Sequence, residues 1–207
     1  MEKLNFKKTY TLENEVVQLR PLLPSDVEEL MVFAMNEPTL WDYSLTPANG
    51  RDNMTQYIIA AINDKELGKS YPFIVFDKRQ NKYAGSTRFY DYSTVHNTTQ
   101  LGYTWYGQEF QGTGLNKNCK YLLLEFAFEK LGLDRVEFRA DNDNTRSIAA
   151  MKSIGCTFEG VLRSNCASVS GRRNSIVLSI LKNEWFDSIK AKLKQQCLEE
   201  NERYLNT

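Results

Sequence analysis

The sequence predicts a mixed α/β fold, and three observations indicate this class. The chain has 207 residues, which is long enough for one substantial hydrophobic core and short for two. Some segments show the apolar–polar alternation of strands, and other segments between them show helical periodicity. Strand-helix-strand units in the second half favour local parallel pairing. We therefore expect one domain over residues 1–207, with a core over about 16–182 and a terminal helix over 183–205.

The first half predicts a strand, two helices and a hairpin. Residues 16–22 form the strand, and Ser25 with Glu28 forms an S-x-x-E capping box that opens the first helix. The second helix covers residues 51–64, and a loop with the sequence WDYSLTP separates the two helices. Residues 72–77 and 83–92 then read as the two strands of a hairpin.

The second half supplies the strand-helix-strand units. Residues 99–106 form a strand, residues 115–131 a strong amphipathic helix, and the alternating DRVEFRA another strand. Asn144 caps a short helix that Gly155 ends. Strands around 157–163 and 175–181 flank a turn with the sequence SGRRN, and a charged helix runs from Glu184 onward.

Composition limits the classes of partner. The 26 basic and 26 acidic residues cancel, so no overall charge favours nucleic acid or a membrane surface. The pairs Arg172–Arg173 and Glu199–Glu200 read as solvated surface. No apolar run has the length of a signal peptide or a membrane span. Four dispersed cysteines and one histidine, His96 in a polar loop, predict no metal site, no disulfide framework and a cytoplasmic protein with reduced thiols.

Two glycines, Gly112 and Gly114, stand where a strand ends and the long helix begins. Glycine there indicates backbone with positive φ or a close approach to another group. A helix amino terminus exposes unpaired N–H groups, and a preceding turn can form an anion-binding nest. The segment lacks the G-K-[ST] ending of a P-loop and the G-x-G-x-x-G of a dinucleotide site. A phosphate ligand and a plain turn both remain open from the loop alone.

Five motifs in order resemble the GNAT superfamily of acetyl-CoA-dependent N-acetyltransferases. A Q/R-x-x-G-x-G/A loop is matched with Gln108 or Gln111 as its polar lead, and N-x-x-S-I and G-C-T-F-E-G-V-L-R follow it. With LRPLLPSDVEEL early and LSILKNEW late, the set is similar to the branch that acetylates the amino termini of ribosomal proteins. The resemblance covers about residues 16–185 and implies a mostly antiparallel central sheet, a splayed parallel strand pair and helices on both faces.

The resemblance also implies where acetyl-CoA (coenzyme A) would bind. The pantetheine arm would lie between the splayed strands, the diphosphate on the glycine-loop amides, and Asn144, which otherwise reads as a plain cap, would reach the pantetheine. The implied cofactor-binding residues are Tyr103, Thr104, Trp105, Gln111, Gly112, Thr113, Gly114, Leu115, Asn116, Asn144 and Ser147.

Catalysis is where the sequence departs from the family pattern. Acetyl transfer needs a neutral amine, a stabilised oxyanion and a proton for the leaving thiolate. Gln100 stands where a carboxylate is common, so Glu109, an ordered water or an already neutral amine are the possible bases. Met151 stands where many relatives have a tyrosine acid, and Ser147 is the residue predicted to act there. Cys119 and Cys156 read as core residues.

The acceptor site is predicted near the early helices. Trp41, Tyr43, Arg88 and Tyr90 could line it, and each also reads as core or surface. The acceptor would be a primary amine, either a protein or peptide amino terminus or a small molecule, with the enzyme a monomer or homodimer. The alternative is a non-catalytic acyl-CoA-binding or partner-binding module on the same fold, which Gln100 and Met151 favour.

Overall fold

A single eight-stranded sheet organises the computed structural model, which describes residues 2–168 and 171–206. The spatial order is β1-β2-β3-β4-β5-β6-β8-β7, and every neighbouring pair is antiparallel except β5 and β6, which are parallel. The strands are β1 (Leu12–Glu13), β2 (Val17–Pro21), β3 (Ser70–Asp77), β4 (Lys82–Ser93), β5 (Thr98–Tyr106), β6 (Arg135–Asp141), β7 (Thr157–Ser168) and β8 (Gly171–Leu181).

Helices cover both faces of this sheet. Neighbouring residues on a strand point to opposite faces. Arg88 on β4 lies over the Tyr57 ring of α2, whereas the next residue, Phe89, packs against Phe126 beside α3. The helices are α1 (Asp26–Asn36), α2 (Arg51–Glu66), α3 (Leu115–Glu125), α4 (Thr145–Ser153), α5 (Lys182–Glu184) and α6 (Lys190–Leu205), with π turns at Phe126–Lys130 and Trp185–Ile189. The predicted fold class is confirmed.

Apolar alternation explains why these segments form strands. In β6, Val136, Phe138 and Ala140 are buried, while the charged residues between them are partly exposed. The long helix continues beyond α3 through its π turn, where Phe128 stacks on the fully buried Trp185. The terminal helix therefore closes the core on the α3 face.

The predicted capping box at Ser25 is wrong. Ser25 has helical backbone angles and no capping bond, and Glu28 instead pairs with Arg51 at 2.7 Å. The polar contacts at the start of α1 come from Asp26 instead. Its buried carboxylate accepts a hydrogen bond from the Leu23 amide at 2.8 Å and binds Arg20 at 2.7 Å. A charge-assisted bidentate pair is stronger than a neutral serine cap.

The predicted turn SGRRN and the two predicted surface patches need correction as well. Strand β8 begins at Gly171, so Arg172 and Arg173 lie in the strand; Ser170 lies outside the described residues. Arg173 is only 8% exposed. Glu200 is not free surface either, because its carboxylate binds Lys117 at 2.9 Å with 19% of the side chain exposed. Arg173 and Glu200 both line the cavity between β5 and β6.

Across the described ranges, no helix combines the length and the apolar content that a membrane crossing requires. His96 lies in the turn between β4 and β5, as predicted, and its amide bonds to Ser93 Oγ at 3.1 Å.

Candidate active site

A gap opens where β5 and β6 part. The two strands pair in parallel over only three positions, from Thr98 with Arg135 to Gln100 with Glu137. Beyond Gln100 the ladder ends, although β5 continues to Tyr106 and β6 to Asp141. The free edges of both strands therefore face a common space.

A bulge in β5 produces this divergence. On the other side of β5, the register with β4 moves from Arg88–Gly102 to Ser86–Trp105, so β5 holds one extra residue there. Tyr103 sits at that point with φ +49°, an uncommon value for a residue other than glycine. Bulges of this kind bend a strand and redirect its side chains, and they are over-represented beside active sites.

A cavity of about 900 Å³ fills the gap and extends to both sheet faces. Its volume is at the upper end of the usual range for small-molecule sites. Twelve of the predicted site residues line it: Trp41, Tyr43, Tyr90, Tyr103, Thr104, Trp105, Gln111, Gly112, Gly114, Asn116, Asn144 and Ser147. Met151, which stands where many relatives have a tyrosine, lines it as well. The structure thus brings most of the predicted positions to one cavity.

The glycine loop forms the end of the cavity at the start of α3. Gly112 and Gly114 have φ +75° and +80°, and α3 begins at Leu115 without a side-chain cap. A Cβ on Gly112 would meet nothing within 4 Å, whereas one on Gly114 would come within 2.7 Å of Glu200 Cβ. Gly112 therefore borders open space, and Gly114 is required for packing against α6.

Side chains around the loop fix its shape. Arg79 donates to the Thr113 carbonyl at 2.9 Å, and Thr113 Oγ1 donates to the Phe110 carbonyl at 2.8 Å. Gln111 spans the loop, because it donates to the Tyr106 carbonyl at 2.9 Å and accepts from Arg146 of α4 at 2.6 Å. The Thr113 and Leu115 side chains are absent from the cavity lining, so either residue could reach a ligand only through its backbone.

Helix α4 enters the cavity with its first turn. Asn144 Oδ1 accepts the Ser147 amide at 3.0 Å, so the predicted cap is confirmed. Ser147 and Met151 lie one turn apart and both line the cavity. A thioether cannot donate a hydrogen bond, so the serine is the donor of the two.

Aromatic residues form the wall on the α2 face. Trp41 and Trp105 pack edge to face with centroids 4.9 Å apart, and Trp105 Nε1 donates to Tyr57 Oη at 3.2 Å. The guanidinium of Arg88 lies 4.9 Å from the Tyr57 ring and 4.2 Å from the Tyr103 ring. Arg88 is buried behind these rings and does not line the cavity, unlike the other predicted acceptor residues.

The predicted base also lies outside the cavity lining. Glu109 forms an ion pair with Lys82 at 3.1 Å, with about half of each side chain exposed. Gln100 does line the cavity, and its Nε2 donates to Asp91 at 3.0 Å. A base role for Glu109 stays a prediction.

Lys120 is the residue that sequence reasoning missed. It lies on α3, is 4% exposed and lines the cavity, with its Nζ 2.8 Å from Thr104 Oγ1. Burial lowers the pKa of Lys120 to about 8. In the sequence it reads as one more charged residue of an amphipathic helix, so no local signal marked it. Tyr57, Arg139 and Arg173 also line the cavity and were not predicted to do so.

The cysteines are not arranged as nucleophiles. Cys119 and Cys156 are buried, as predicted for core residues, and burial raises the pKa of each thiol to about 12. All four cysteines are free thiols. A thiol with so high a pKa holds its proton at neutral pH and is a poor nucleophile. Among the residues described, no three His, Cys, Asp or Glu side chains are grouped as a metal site would need.

Comparisons with known proteins identify the family to which this chain belongs. Residues 17–157 match the Acetyltransferase (GNAT) domain family. The chain belongs to this family of acetyltransferases.

Individual relatives agree with this assignment. A Bacillus subtilis (strain 168) protein provisionally named ribosomal N-acetyltransferase YdaF is 29% identical over 83% of this chain and 94% of its own length. The uncharacterized N-acetyltransferase p20 of Bacillus licheniformis is 27% identical over 84% and 98%. A crystal structure of a GCN5-related N-acetyltransferase from Brucella melitensis, 22% identical, superimposes with a TM-score of 0.84 over 92% of this chain and 86% of that one. The predicted resemblance to the GNAT family and its ribosomal-protein branch is confirmed.

Proposed function

We propose that this chain transfers the acetyl group of acetyl-CoA directly to a primary amine while both substrates are bound. The observation that carries the proposal is the cavity between the parted ends of β5 and β6, which opens onto the uncapped start of α3. The same cavity reaches the amino terminus of α3, a kind of helix end that binds phosphates, and the aromatic wall on the α2 face of the sheet. Direct transfer requires such a continuous space.

The residues present fit coenzyme A. The open space at Gly112 and the positive φ of both glycines leave the loop amides free of side-chain obstruction. The backbone of residues 111–116 would hold the diphosphate, and the edge of β5 at Tyr103, Thr104 and Trp105 would bond the pantetheine. Asn144 and Ser147 would approach the arm from α4. Bound there, acetyl-CoA supplies an activated acyl group.

The reaction needs a hydrogen-bond donor to the leaving sulfur and an acceptor for the proton of the attacking amine. Ser147 Oγ would donate a hydrogen bond to the departing sulfur, since it lines the cavity one turn from Met151. The acceptor loses a proton as it attacks, and an α-amine needs no strong base because its pKa lies near 8. Glu109 remains a proposed base that would act from the outer side of the loop.

The acceptor would enter from the α2 face. Trp41, Tyr43 and Tyr90 line that side of the cavity, and Arg88 supports the Tyr57 and Tyr103 rings from behind. The name of the Bacillus subtilis relative favours a ribosomal protein amino terminus as the amine. A small-molecule amine would use the same wall. A cytoplasmic location and a monomeric or dimeric state stay predictions.

An amine panel tests the proposal. Purified protein is incubated with acetyl-CoA and peptides with different amino-terminal residues, polyamines, amino sugars and amino acids, and free thiol is measured. We expect amine-dependent thiol release with at least one acceptor, and the acetylated product by mass spectrometry. Tight binding of coenzyme A without transfer to any amine would instead support the non-catalytic acyl-CoA-binding module.

A further inference from the structure

Lys120 is a buried cation with no counterion among the described residues. Among the residues that the structure describes, its one hydrogen-bond partner is Thr104 Oγ1 at 2.8 Å, although an ammonium has three donors. Within the described ranges no carboxylate oxygen forms an ion pair with its Nζ. Buried lysines are rare unless they are paired, so a structural role alone explains this residue poorly.

The position of Lys120 connects it to the reaction. Thr104 lies in β5 beside the bulge, where that strand leaves β6. On the opposite side of the gap, the Phe138 ring of β6 lies 5.9 Å from the lysine nitrogen. Lys120 thus spans the floor of the gap through which the pantetheine is proposed to pass, in the same cavity as Ser147 and Met151.

We propose that the Lys120 ammonium is the general acid that protonates the coenzyme A thiolate as it leaves. This inference rests on the proposed function and deepens it. As the C–S bond breaks, its electron pair goes to sulfur and forms the S–H bond with a proton from Nζ, while the electron pair of the N–H bond stays on the nitrogen. The neutral lysine then takes up a proton from solvent, which also receives the proton that the acceptor amine loses. Until then the positive charge stabilises the negative charge that develops on sulfur.

The chemistry of the neighbouring donors favours Lys120 for this step. Met151, at the position of the family's tyrosine acid, has no proton to give. Ser147 can donate a hydrogen bond to sulfur, but a hydroxyl does not ionise near neutral pH. An acid works best when its pKa lies near the operating pH, and the pKa of Lys120 is about 8.

Two buried thiols are the groups that act against burial on the pKa of Lys120. Burial is the largest cause of the lowered pKa, and the thiols of Cys119 and Cys156 are smaller causes that raise it. Both thiols stay neutral at neutral pH because their own pKa is about 12. The acid form of Lys120 therefore prevails below about pH 8 and is lost above it.

The first arm of the test is kinetic. Lys120→Met keeps the length of the side chain and removes the proton, so kcat should fall by about 10²-fold or more. In the wild type, kcat should decline as the pH rises through about 8, and this decline should be absent from Lys120→Met. Lys152→Met, at an exposed position of α4 outside the cavity lining, is the matched control and should behave as wild type.

The second arm needs no turnover. Coenzyme A is bound to each variant, its affinity is measured by calorimetry, and its thiol is titrated by the ultraviolet absorbance of the thiolate. A cation within about 4–6 Å lowers the pKa of an acidic group by roughly 1–3 units. Wild type and Lys152→Met should therefore lower the pKa of the bound thiol below that of free coenzyme A, and Lys120→Met should not.

A third variant covers the case in which Lys120→Met does not fold. Thr104→Val removes the acceptor of the Lys120 ammonium, so the lysine pKa should fall and the kinetic decline should move to lower pH. An unchanged decline in Thr104→Val, or a Lys120→Met enzyme with normal kcat and an equally shifted thiol pKa, would overturn the proposal. If no amine is acetylated while the thiol titration gives the expected difference, the proposed function fails and the Lys120 contact with sulfur stands.

Discussion

The proposed donor side and the proposed acceptor side of the cavity are built differently. On the donor side, the ligand would meet mostly backbone, namely the edge of β5, the glycine loop and the first turn of α3. On the acceptor side it would meet side chains from separate parts of the chain, such as Trp41 after α1, Tyr57 on α2 and Arg173 on β8. The Trp41–Trp105 contact joins the two sides.

The two sides therefore place different requirements on the sequence. A backbone site needs particular φ values and a helix start, and those requirements leave glycines at fixed spacing. A side-chain site needs only that suitable residues converge, and many sequences can meet that condition. The account therefore predicts that variants on one side change one substrate and leave the other unaffected.

A large effect is expected on the chemical step at the proposed donor side. Ser147→Ala should lower kcat by roughly 10²-fold, the lower end of the range for such groups, because in the proposed mechanism Lys120 would still supply the proton. Coenzyme A affinity should stay within about threefold, because the diphosphate is proposed to bind to the loop amides. Steady-state kinetics and calorimetry measure both quantities, with Ser188→Ala, outside the cavity lining, as the control. A Ser147→Ala enzyme with normal kcat would remove the serine from the mechanism.

A smaller effect is expected at the acceptor side. Tyr43 is 46% exposed and lines the cavity, so Tyr43→Ala should raise the acceptor KM by about three- to tenfold, the equivalent of roughly 1 kcal/mol for one aromatic contact. The affinity for coenzyme A should not change. Phe186→Ala, an exposed aromatic outside the cavity lining, provides the control. Weaker coenzyme A binding in Tyr43→Ala, with an unchanged acceptor KM, would break the proposed division of the cavity.

Much of the fold was predictable because the strands and helices carry strong periodicity. The two-residue β1 is too short to show a pattern, and it exists only because it pairs with β2. The capping box at Ser25 failed for a tertiary reason, since Arg20 on β2 holds the competing Asp26 carboxylate. The SGRRN segment has the composition of a turn, yet β7 pairs with it through Cys166–Arg173 and Ala167–Arg172.

The site was predictable to the extent that it is local in sequence. The glycine loop and the Asn144 cap are continuous motifs, and both have the expected backbone form. Lys120 gains its character only from burial against Thr104 of another element, which no local pattern encodes. The two glycines look equivalent in sequence, but Glu200 of the distant α6 packs against Gly114 and leaves Gly112 open.

Because Gly112 borders open space and Gly114 does not, Gly112 is the better position at which to test whether the glycine loop binds the diphosphate. Gly112→Val would place its Cβ in the open space of the loop, at φ +75°, with none of the described protein atoms outside the neighbouring residues within 4 Å. Gly68→Val is the matched control, because Gly68 has φ +71°, lies outside the cavity lining and would bring its Cβ no closer than 3.7 Å to Phe6. Both variants should lose similar stability from backbone strain.

Calorimetric titration of coenzyme A into these proteins tests most directly whether the glycine loop holds the diphosphate. Loss of two charge-assisted hydrogen bonds, at roughly 1.5–3 kcal/mol each, predicts at least about hundredfold weaker binding to Gly112→Val. Gly68→Val should bind as wild type does. Equal coenzyme A affinity in wild type and a folded Gly112→Val variant would contradict the account.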